Sequence, residues 1–563
     1  MHLDIKTRTA ARALVDQLVV HGVKHVFCVP GESYLGVLDA LHDADITVTV
    51  CRQEGGAAMM AEAVGKATGR PGVCFVTRGP GATNATPGIH IARQDSTPVI
   101  MFVGQVERGV REREAFQELD YRAVFGGMTK WATEIDDPDR VPELVTRAFY
   151  TATAGRPGPV VVALPKDMLS ERCRTPLAPA FAPVETAPAA EDMATLEALI
   201  AGAERPVMVL GGPRWTEAAC AAARRFAERF DMPVATSYRR GPLFDALHRC
   251  YAGDLGLGPN PKLVARVKAS DLVIFVGGRI NEITAQGYTL FDIPEPRTRL
   301  VHIHPGAEEL GRIYSPHLAI NASPIRFAAA LEALTPPAAP ARSDQTLAAH
   351  EEYLAWSDRA TPQPGEVNLG EVMVWLRENL PDDAILCNGA GNYASWIHRF
   401  YRFRRFASHI APTSASMGYG VPAAVAMKRL HPGRPVISIN GDGDFLMNGQ
   451  EFAIAVQYRL PILVVIADNG IYGTIRMHQE REHPGRVEAT DLVNPDFAAY
   501  ARAFGGFGVT VEKTADFPAA FRAAEASGLP AIVHLKIDPE AITPGATLTQ
   551  IRAQALEKAA AKG

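Results

Sequence analysis

The stretch that most constrains this chain is residues 441–473, GDGDFLMNGQEFAIAVQYRLPILVVIADNGIYG. It follows one apolar run, 436–439, and contains another, 462–467, and both read as buried strands. Between them a helix is expected to begin near Asn448, an N-cap followed by Glu451, with Phe452, Ile454, Ala455 and Val456 apolar. A strand–helix–strand unit joins parallel strands, so both strand ends open on the same edge of the sheet. Asp442 follows the first strand and Asn469 the second, and the two are expected to meet in space.

That pairing suits a hard cation bridging to a diphosphate. Mg²⁺ takes octahedral oxygen coordination with one or two protein ligands and completes its shell with phosphate oxygens and water. Asp442 would supply charge, Asn469 a neutral oxygen, and a main-chain carbonyl near Ile471 a third contact. Gly441 and Gly443 let amide groups approach phosphate closely. The stretch resembles the fingerprint of the thiamine-diphosphate enzymes, which begins GDG and closes at an asparagine. Gly441-Asp442-Gly443, Glu451, Pro461, Asn469 and Tyr472-Gly473 all fall in register with it. The resemblance implies that Asp442 and Asn469 hold Mg²⁺ and the cofactor diphosphate, with the Ile471 carbonyl as the third metal contact read from the spacing.

The chain has 563 residues, enough for about three domains of ordinary size. A net charge of −5 gives no footing for a nucleic-acid or membrane partner. Seven scattered cysteines show no metal-ligand spacing and fit reduced thiols, so a soluble cytoplasmic protein is expected. The N-terminal run MHLDIKTRTAARALVDQLVVHG reads as an amphipathic helix rather than a signal peptide, and no apolar stretch is long enough to span a bilayer.

Pro/Ala-rich stretches at 175–190 and 335–343, and a loose one at 361–365, break the chain. Between them apolar strands alternate with helical patterns, the mark of parallel α/β sheets; they include 73–76, 99–103, 160–163, 207–210, 272–276 and 300–303. The layout resembles the thiamine-diphosphate decarboxylase and synthase group over nearly the whole chain. It implies an α/β protein of three doubly wound parallel-sheet domains: pyrimidine-binding (1–174), central and Rossmann-like (191–335), and diphosphate-binding (350–563).

The first domain carries CRQEGGAAMMAEAVGKATGRPGVCFVTRGPGATN, which resembles the acetolactate-synthase-like pattern. By that match Glu54 is the catalytic glutamate acting on the aminopyrimidine, and Pro80 and Asn84 lie near that ring. Met417 in SASMGYG matches the residue that props the cofactor bent, and Gly391-Asn392 the loop over its diphosphate. Because Glu54 and Asp442 fall in different domains, the family implies a site between chains, with a homodimer as the smallest active unit and a homotetramer expected.

Substrate contacts follow by the same resemblance. Glu32 aligns with an acid of the pyruvate-decarboxylase branch, Phe116-Gln117-Glu118 and Thr129-Lys130 copy acetolactate synthases, and His478 stands where those enzymes carry a tryptophan. A histidine there could shuttle protons near neutral pH. Glu32, Gln117 and His478 are thus candidate catalytic residues beside Glu54. In the middle domain, Gly278-Arg279-Ile280-Asn281-Glu282 and His302-Ile303-His304-Pro305 lack the acids expected for FAD, so no tightly held FAD is expected, although Gly211-Gly212 remains after a strand. The expected activity is a carboligase that decarboxylates a small 2-oxo acid and transfers the acyl unit to a second carbonyl. A simple 2-oxo acid decarboxylase or C–C lyase, and a non-catalytic relative that only binds the cofactor, are the alternatives.

Overall fold

A computed structural model of the protein describes residues 8–337 and 342–561. They divide into two compact units between residues 185 and 186. Residues 1–7 of the expected N-terminal helix and 338–341 of the second Pro/Ala-rich stretch lie outside the described residues. Among the described residues, no helix is long and apolar enough to cross a membrane.

The first unit holds β1 (His25–Cys28), β2 (Thr47–Val50), β3 (Gly72–Val76), β4 (Val99–Gln105), β5 (Trp131–Glu134) and β6 (Pro159–Pro165). They pair in the order β2-β1-β3-β4-β6-β5, every pair parallel. The inner strands β3, β4 and β6 are buried along their whole length, as an apolar run covered on both faces must be. On one face Leu14 and Leu18 of the helix Ala10–Val20 and Val145 and Phe149 of Val141–Thr153 pack on Phe75, Phe102 and Val162. On the other, the helix Glu54–Thr68 is built mostly of glycine and alanine. Small residues are what its close approach requires: a Cβ on Gly65 would come within 2.4 Å of the Pro98 carbonyl.

In the second unit, β7 (Pro206–Leu210), β8 (Val234–Ser237), β9 (Tyr251–Leu255), β10 (Leu272–Val276), β11 (Arg299–Ile303) and β12 (Leu318–Ile320) form a sheet of order β12-β11-β10-β7-β8-β9. This is the order of a dinucleotide-binding α/β sheet. The helix Ser343–Ser357 runs across residue 350, and its Ala349 and Tyr353 sit in the cores of this sheet. A third sheet has β13 (Ile385–Asn388), β14 (His409–Ile410), β15 (Val436–Gly441), β16 (Leu463–Asp468), β17 (Phe507–Val511) and β18 (Ala531–Lys536). Its order, β14-β13-β15-β16-β18-β17, repeats that of the first sheet, again wholly parallel. The three parallel α/β sheets match the expected fold class.

One local expectation is corrected. The helical run that carries Phe452 does start beside Asn448, as a 3₁₀ turn Gly449–Glu451 leading into the helix Phe452–Gln457, but an extra short turn of helix, Asp442–Leu446, precedes it and the expected cap is not made. Asn448 makes no cap: its Oδ1 accepts from Gln450 Nε2 at 3.3 Å instead of from a backbone amide, while its Nδ2 donates to the Gly418 carbonyl at 3.0 Å.

Candidate functional site

In a doubly wound sheet the ligand crevice opens where the strand order reverses, at the carboxyl ends of the strands. In the third sheet that point lies between β13 and β15, and a cavity of ≈ 290 Å³ opens among the loops that follow β13, β15 and β16. Gly391, Asn392, Met417, Gly441, Asp442, Gly443, Asn469 and Ile471 all line it.

Asp442 is buried, and its carboxylate is fixed from three sides. Oδ1 accepts from the Gly443 amide at 2.9 Å; Oδ2 accepts from the Gly470 amide at 2.9 Å and from Asn494 Nδ2 at 2.7 Å. The Asp442–Gly470 bond joins the ends of β15 and β16, as the spacing of the motif required. Burial first, then the neighbouring Asp468, push the Asp442 proton affinity up. Burial would raise Asp468 too, but hydrogen bonds from His534 (2.8 Å), Lys536 (2.7 Å) and Asn494 (2.8 Å) overrule it and hold that carboxyl well below its usual range. The strand register is the cause, since β16 and β18 pair Asp468 directly with Lys536. Asn469 turns its Oδ1 onto the Ile471 amide at 3.2 Å.

Other segments are tied to this turn. Asp444 lies two residues beyond Asp442 and is buried. It accepts from the Gly418 amide (2.8 Å), the Ala390 amide (3.2 Å) and Tyr393 Oη (2.7 Å), so one carboxylate pins the Met417–Gly418 turn and the loop after β13. Burial pushes its carboxyl up to about 6, against those hydrogen bonds. Asn392 donates to the Ile542 carbonyl at 3.0 Å and to Met477 Sδ at 3.4 Å. Arg239 reaches into the same lining and donates to the carbonyls of Gly389 and Pro412 at 2.7 and 2.6 Å.

The donor set can be tested against a Mg²⁺–diphosphate group. Among the described residues no cluster of three His, Cys, Asp or Glu could hold a metal ion. A cation at Asp442 therefore needs oxygens from elsewhere, which is how Mg²⁺ sits when a ligand's phosphates complete its shell. Asn494 Oδ1 is buried without a hydrogen-bond partner, an unused oxygen on a side chain that already touches Asp442. Glycine is required in the cradle: a Cβ on Gly443 would fall 2.7 Å from the Tyr472 ring, and one on Gly473 2.8 Å from Ile542. Trp396, Ile475 and Ile542 add an apolar wall of the kind a ring system needs. The residues fit the group.

The first unit has its own cluster, around the turn Gly79-Pro80-Gly81. Glu54 opens its helix, capped by the Gln53 side chain, and is only 9% exposed. Its Oε2 accepts from Asn84 Nδ2 at 3.0 Å. Pro80 and Asn84 lie on the exposed side of the short helix Gly79–Asn84. Gln117 is left-handed (φ 64°), and its carbonyl presses on Gly79, where a Cβ would be only 2.8 Å away. Glu32 is exposed and pairs with Arg78. Lys130 gives its ammonium to the Ala154 carbonyl, which makes it a brace within the fold.

His478 lies outside both clusters. It is on the exposed face of the helix Gly473–Glu482 and is not part of the cavity lining; the preceding residue, Met477, is the one that meets Asn392. In the central sheet His302 Nε2 faces the Gly278 carbonyl at 2.9 Å, and Glu309 is held by Arg279 (3.3 Å) and Arg312 (2.9 Å). Asp444, Asn494, Arg239 and Arg78 are the residues that sequence reasoning passed over. The fourth position of GDGD was the one local signal, because an acid beside a phosphate turn needs a structural reason.

Sequence comparisons agree with this geometry. Residues 8–124 match the thiamine pyrophosphate enzyme N-terminal TPP binding domain, 193–334 its central domain, and 389–535 its C-terminal TPP binding domain. An acetolactate synthase large subunit of Parasynechococcus marenigrum is 33% identical over 525 residues, covering 90% of this chain and 84% of that protein. The acetolactate synthase of Bacillus subtilis is 31% identical over 550 residues, with 95% and 94% covered. The acetolactate synthase isozyme 2 large subunit of Escherichia coli is 31% identical over 534 residues, with 94% and 95% covered.

Proposed function

This chain belongs to the acetolactate-synthase-like family of thiamine pyrophosphate enzymes, and on that premise we propose that it is a thiamine-diphosphate- and Mg²⁺-dependent carboligase acting on a small 2-oxo acid. The observation that carries the proposal is the convergence of Asp442, Asn469 and the glycine turns on one cavity, where Asp444 is spent on pinning loops and Asp442 needs a ligand's own oxygens to hold a cation. When bound, thiamine diphosphate supplies an electron sink that lets a 2-oxo acid lose CO₂ and pass its acyl unit to a second carbonyl.

The chain's own residues would bind, orient and move protons around that chemistry. Asp442, Asn469 and the Ile471 carbonyl hold Mg²⁺; the backbone at Gly441, Gly443 and Gly391, with Asn392, cradles the phosphates. Met417 supports the ring system from the cavity wall. On the first unit Glu54 offers one carboxyl oxygen to the aminopyrimidine while the other accepts from Asn84, with Pro80 beside it. Glu32 and Gln117 border the same turn and are assigned to the substrate. His478, exposed on its helix, is the weakest member of the set and acts only if a further surface covers it.

We also propose that the active unit is a homodimer or homotetramer in the cytoplasm, and that the central domain holds no tight FAD. Domain limits of 1–174 and 191–335 serve for the first two sheets. The helix Ser343–Ser357 is best counted with the central one, which moves the start of the third domain from 350 to beyond 357. The test is CO₂ release from a panel of 2-oxo acids with Mg²⁺ and thiamine diphosphate, recording product masses with and without an added carbonyl acceptor. Ligated products are expected. Free aldehyde as the sole product would replace the carboligase with a decarboxylase.

A further inference from the structure

The reversal point of the first sheet lies between β1 and β3, so the loops after those strands, carrying Glu32 and Arg78, border that unit's own ligand crevice. The Arg78 side chain is only 8% exposed, while its ion-pair partner Glu32 is 65% exposed. One nitrogen, Nη2, donates to Glu32 Oε1. Nε is buried and has no hydrogen-bond partner. The guanidinium carbon lies 5.7 Å from the ring centroid of Phe116, itself 73% exposed. A buried cation with an unused donor is costly, and each such donor in a folded protein calls for an explanation. The Nε–Nη2 edge of a guanidinium matches a carboxylate in a two-bond fork, and Glu32 uses half of it.

We propose that Arg78 is a specificity-determining subsite for a substrate carboxylate, with Glu32 as the exchangeable group that occupies it when substrate is absent. The proposal rests on the carboligase reading above and names the charge of one substrate group. Arg78 leads directly into Gly79-Pro80-Gly81, and a Cβ on Gly81 would lie 3.2 Å from Glu54 Oε1, so an anion here sits beside the group assigned to proton transfer. The carboxylate recognised is one the substrate keeps. A cation that held the departing carboxylate would stabilise the ground state more than the transition state and slow the loss of CO₂. Arg78 therefore takes the acid group of the acceptor, or a second acid group of the donor. Glu32, lying mostly in water, can swing away at little cost; Arg78, buried, cannot.

The test uses the full-length protein loaded with Mg²⁺ and thiamine diphosphate. The probes are oxamate, a 2-oxo acid mimic that does not decarboxylate, and oxamide, its uncharged counterpart. Wild type is expected to bind oxamate at least about tenfold more tightly than oxamide, the scale of one good charge-assisted fork. Arg78→Gln should shrink that ratio to below about twofold, with Arg78→Lys in between. Glu32→Gln removes the internal competitor and should tighten oxamate binding, a change of sign that a merely structural ion pair would not give. No preference in wild type, an unchanged ratio in Arg78→Gln, or weaker oxamate binding in Glu32→Gln overturns the proposal. If Arg78→Gln fails to fold, Arg78→Lys and Glu32→Gln decide it alone. Should the charge preference hold while no 2-oxo acid releases CO₂, the subsite stands and the carboligase reading falls.

Discussion

The first sheet, β2-β1-β3-β4-β6-β5, and the third, β14-β13-β15-β16-β18-β17, follow the same path, and each reverses between its first and third strands. After the third strand of each comes a glycine turn, Gly79-Pro80-Gly81 in one and Gly441-Asp442-Gly443 in the other. In the third sheet the turn carries a carboxylate held by two amides and an asparagine, backed by Asp468, His534 and Lys536. In the first it carries none of its own; Glu54 and Arg78 approach it from either side. One scaffold thus serves two tasks. Under the proposed function the third sheet would bind, with both oxygens of Asp442 tied down, and the first would react, with Glu54 and Glu32 each retaining an oxygen not committed to a deep network.

Variants should separate the two tasks. The largest effect is expected from Asp442→Ala, which should abolish turnover and cofactor-dependent stabilisation together. Wild type at a hundredfold excess of cofactor over Kd should gain about 2.7 kcal/mol of stability. The variant should gain none in a thermal-shift titration with Mg²⁺ and thiamine diphosphate. Glu54→Gln should break the link between the two readouts: turnover falls by about 10²–10⁴, the usual weight of one positioned acid–base group, while the stabilisation by cofactor persists. Loss of stabilisation in Glu54→Gln would mean that the first sheet also carries binding energy, and the division of labour would fail. Asn494→Ala is expected to weaken Mg²⁺ by about 10- to 100-fold, the range for a supporting partner of a metal ligand. Its maximal rate should recover at high Mg²⁺, and a rate that stays low would assign Asn494 a role beyond holding Asp442.

The two regions also differ in how far sequence could foresee them. The third sheet's site is strung along one strand–helix–strand unit, so Asp442, Asn469 and the glycines are legible from spacing alone. Their supports are not. Asn494 arrives from a loop beyond the next helix, and Lys536 reaches Asp468 only through the register of β16 with β18. Asn448 has the right type for a cap, yet its oxygen accepts from the Gln450 side chain while its Nδ2 is drawn to the Gly418 carbonyl, far off in sequence. His478 and Met477 show what alignment by position leaves out: on a helix one residue is a turn of about 100°, and it is Met477 that meets Asn392. In the first unit, Arg78 stood in plain view in TRGPGATN, but its burial and its half-used fork exist only once β1 and β3 lie side by side.

The smallest expected effect compares the units in acid. His21, in the first unit, is buried between Phe149 and Phe181. Its Nδ1 accepts from the Phe181 amide at 3.2 Å, and burial, helped by the Arg70 charge, lowers its pKa to about 4. The unfolded chain takes up that proton near pH 6.5 and the folded one does not until about pH 4, so the unfolded state gains protons first and stability falls as pH drops through this window. Glu134, raised by burial, offsets part of the loss. In the second unit a buried histidine, His398, is lowered to about 3, but it lies 3.7 Å from Asp254, which burial raises to about 7. Those two shifts act in opposite senses: the folded unit gives up a proton at His398 and gains one at Asp254, so their pH dependences offset. Elsewhere in the second unit His302 and His431 are also lowered by burial while Asp442 and Asp444 are raised, so both signs occur there, and His21 is the acid-sensitive group to test in the first unit. Between pH 7 and 5 wild type should lose about 1–2 kcal/mol more than His21→Gln, in which a neutral amide can still accept from Phe181. Equal pH slopes in the two proteins, measured by denaturant melts at each pH, would move the acid-sensitive element out of the first unit.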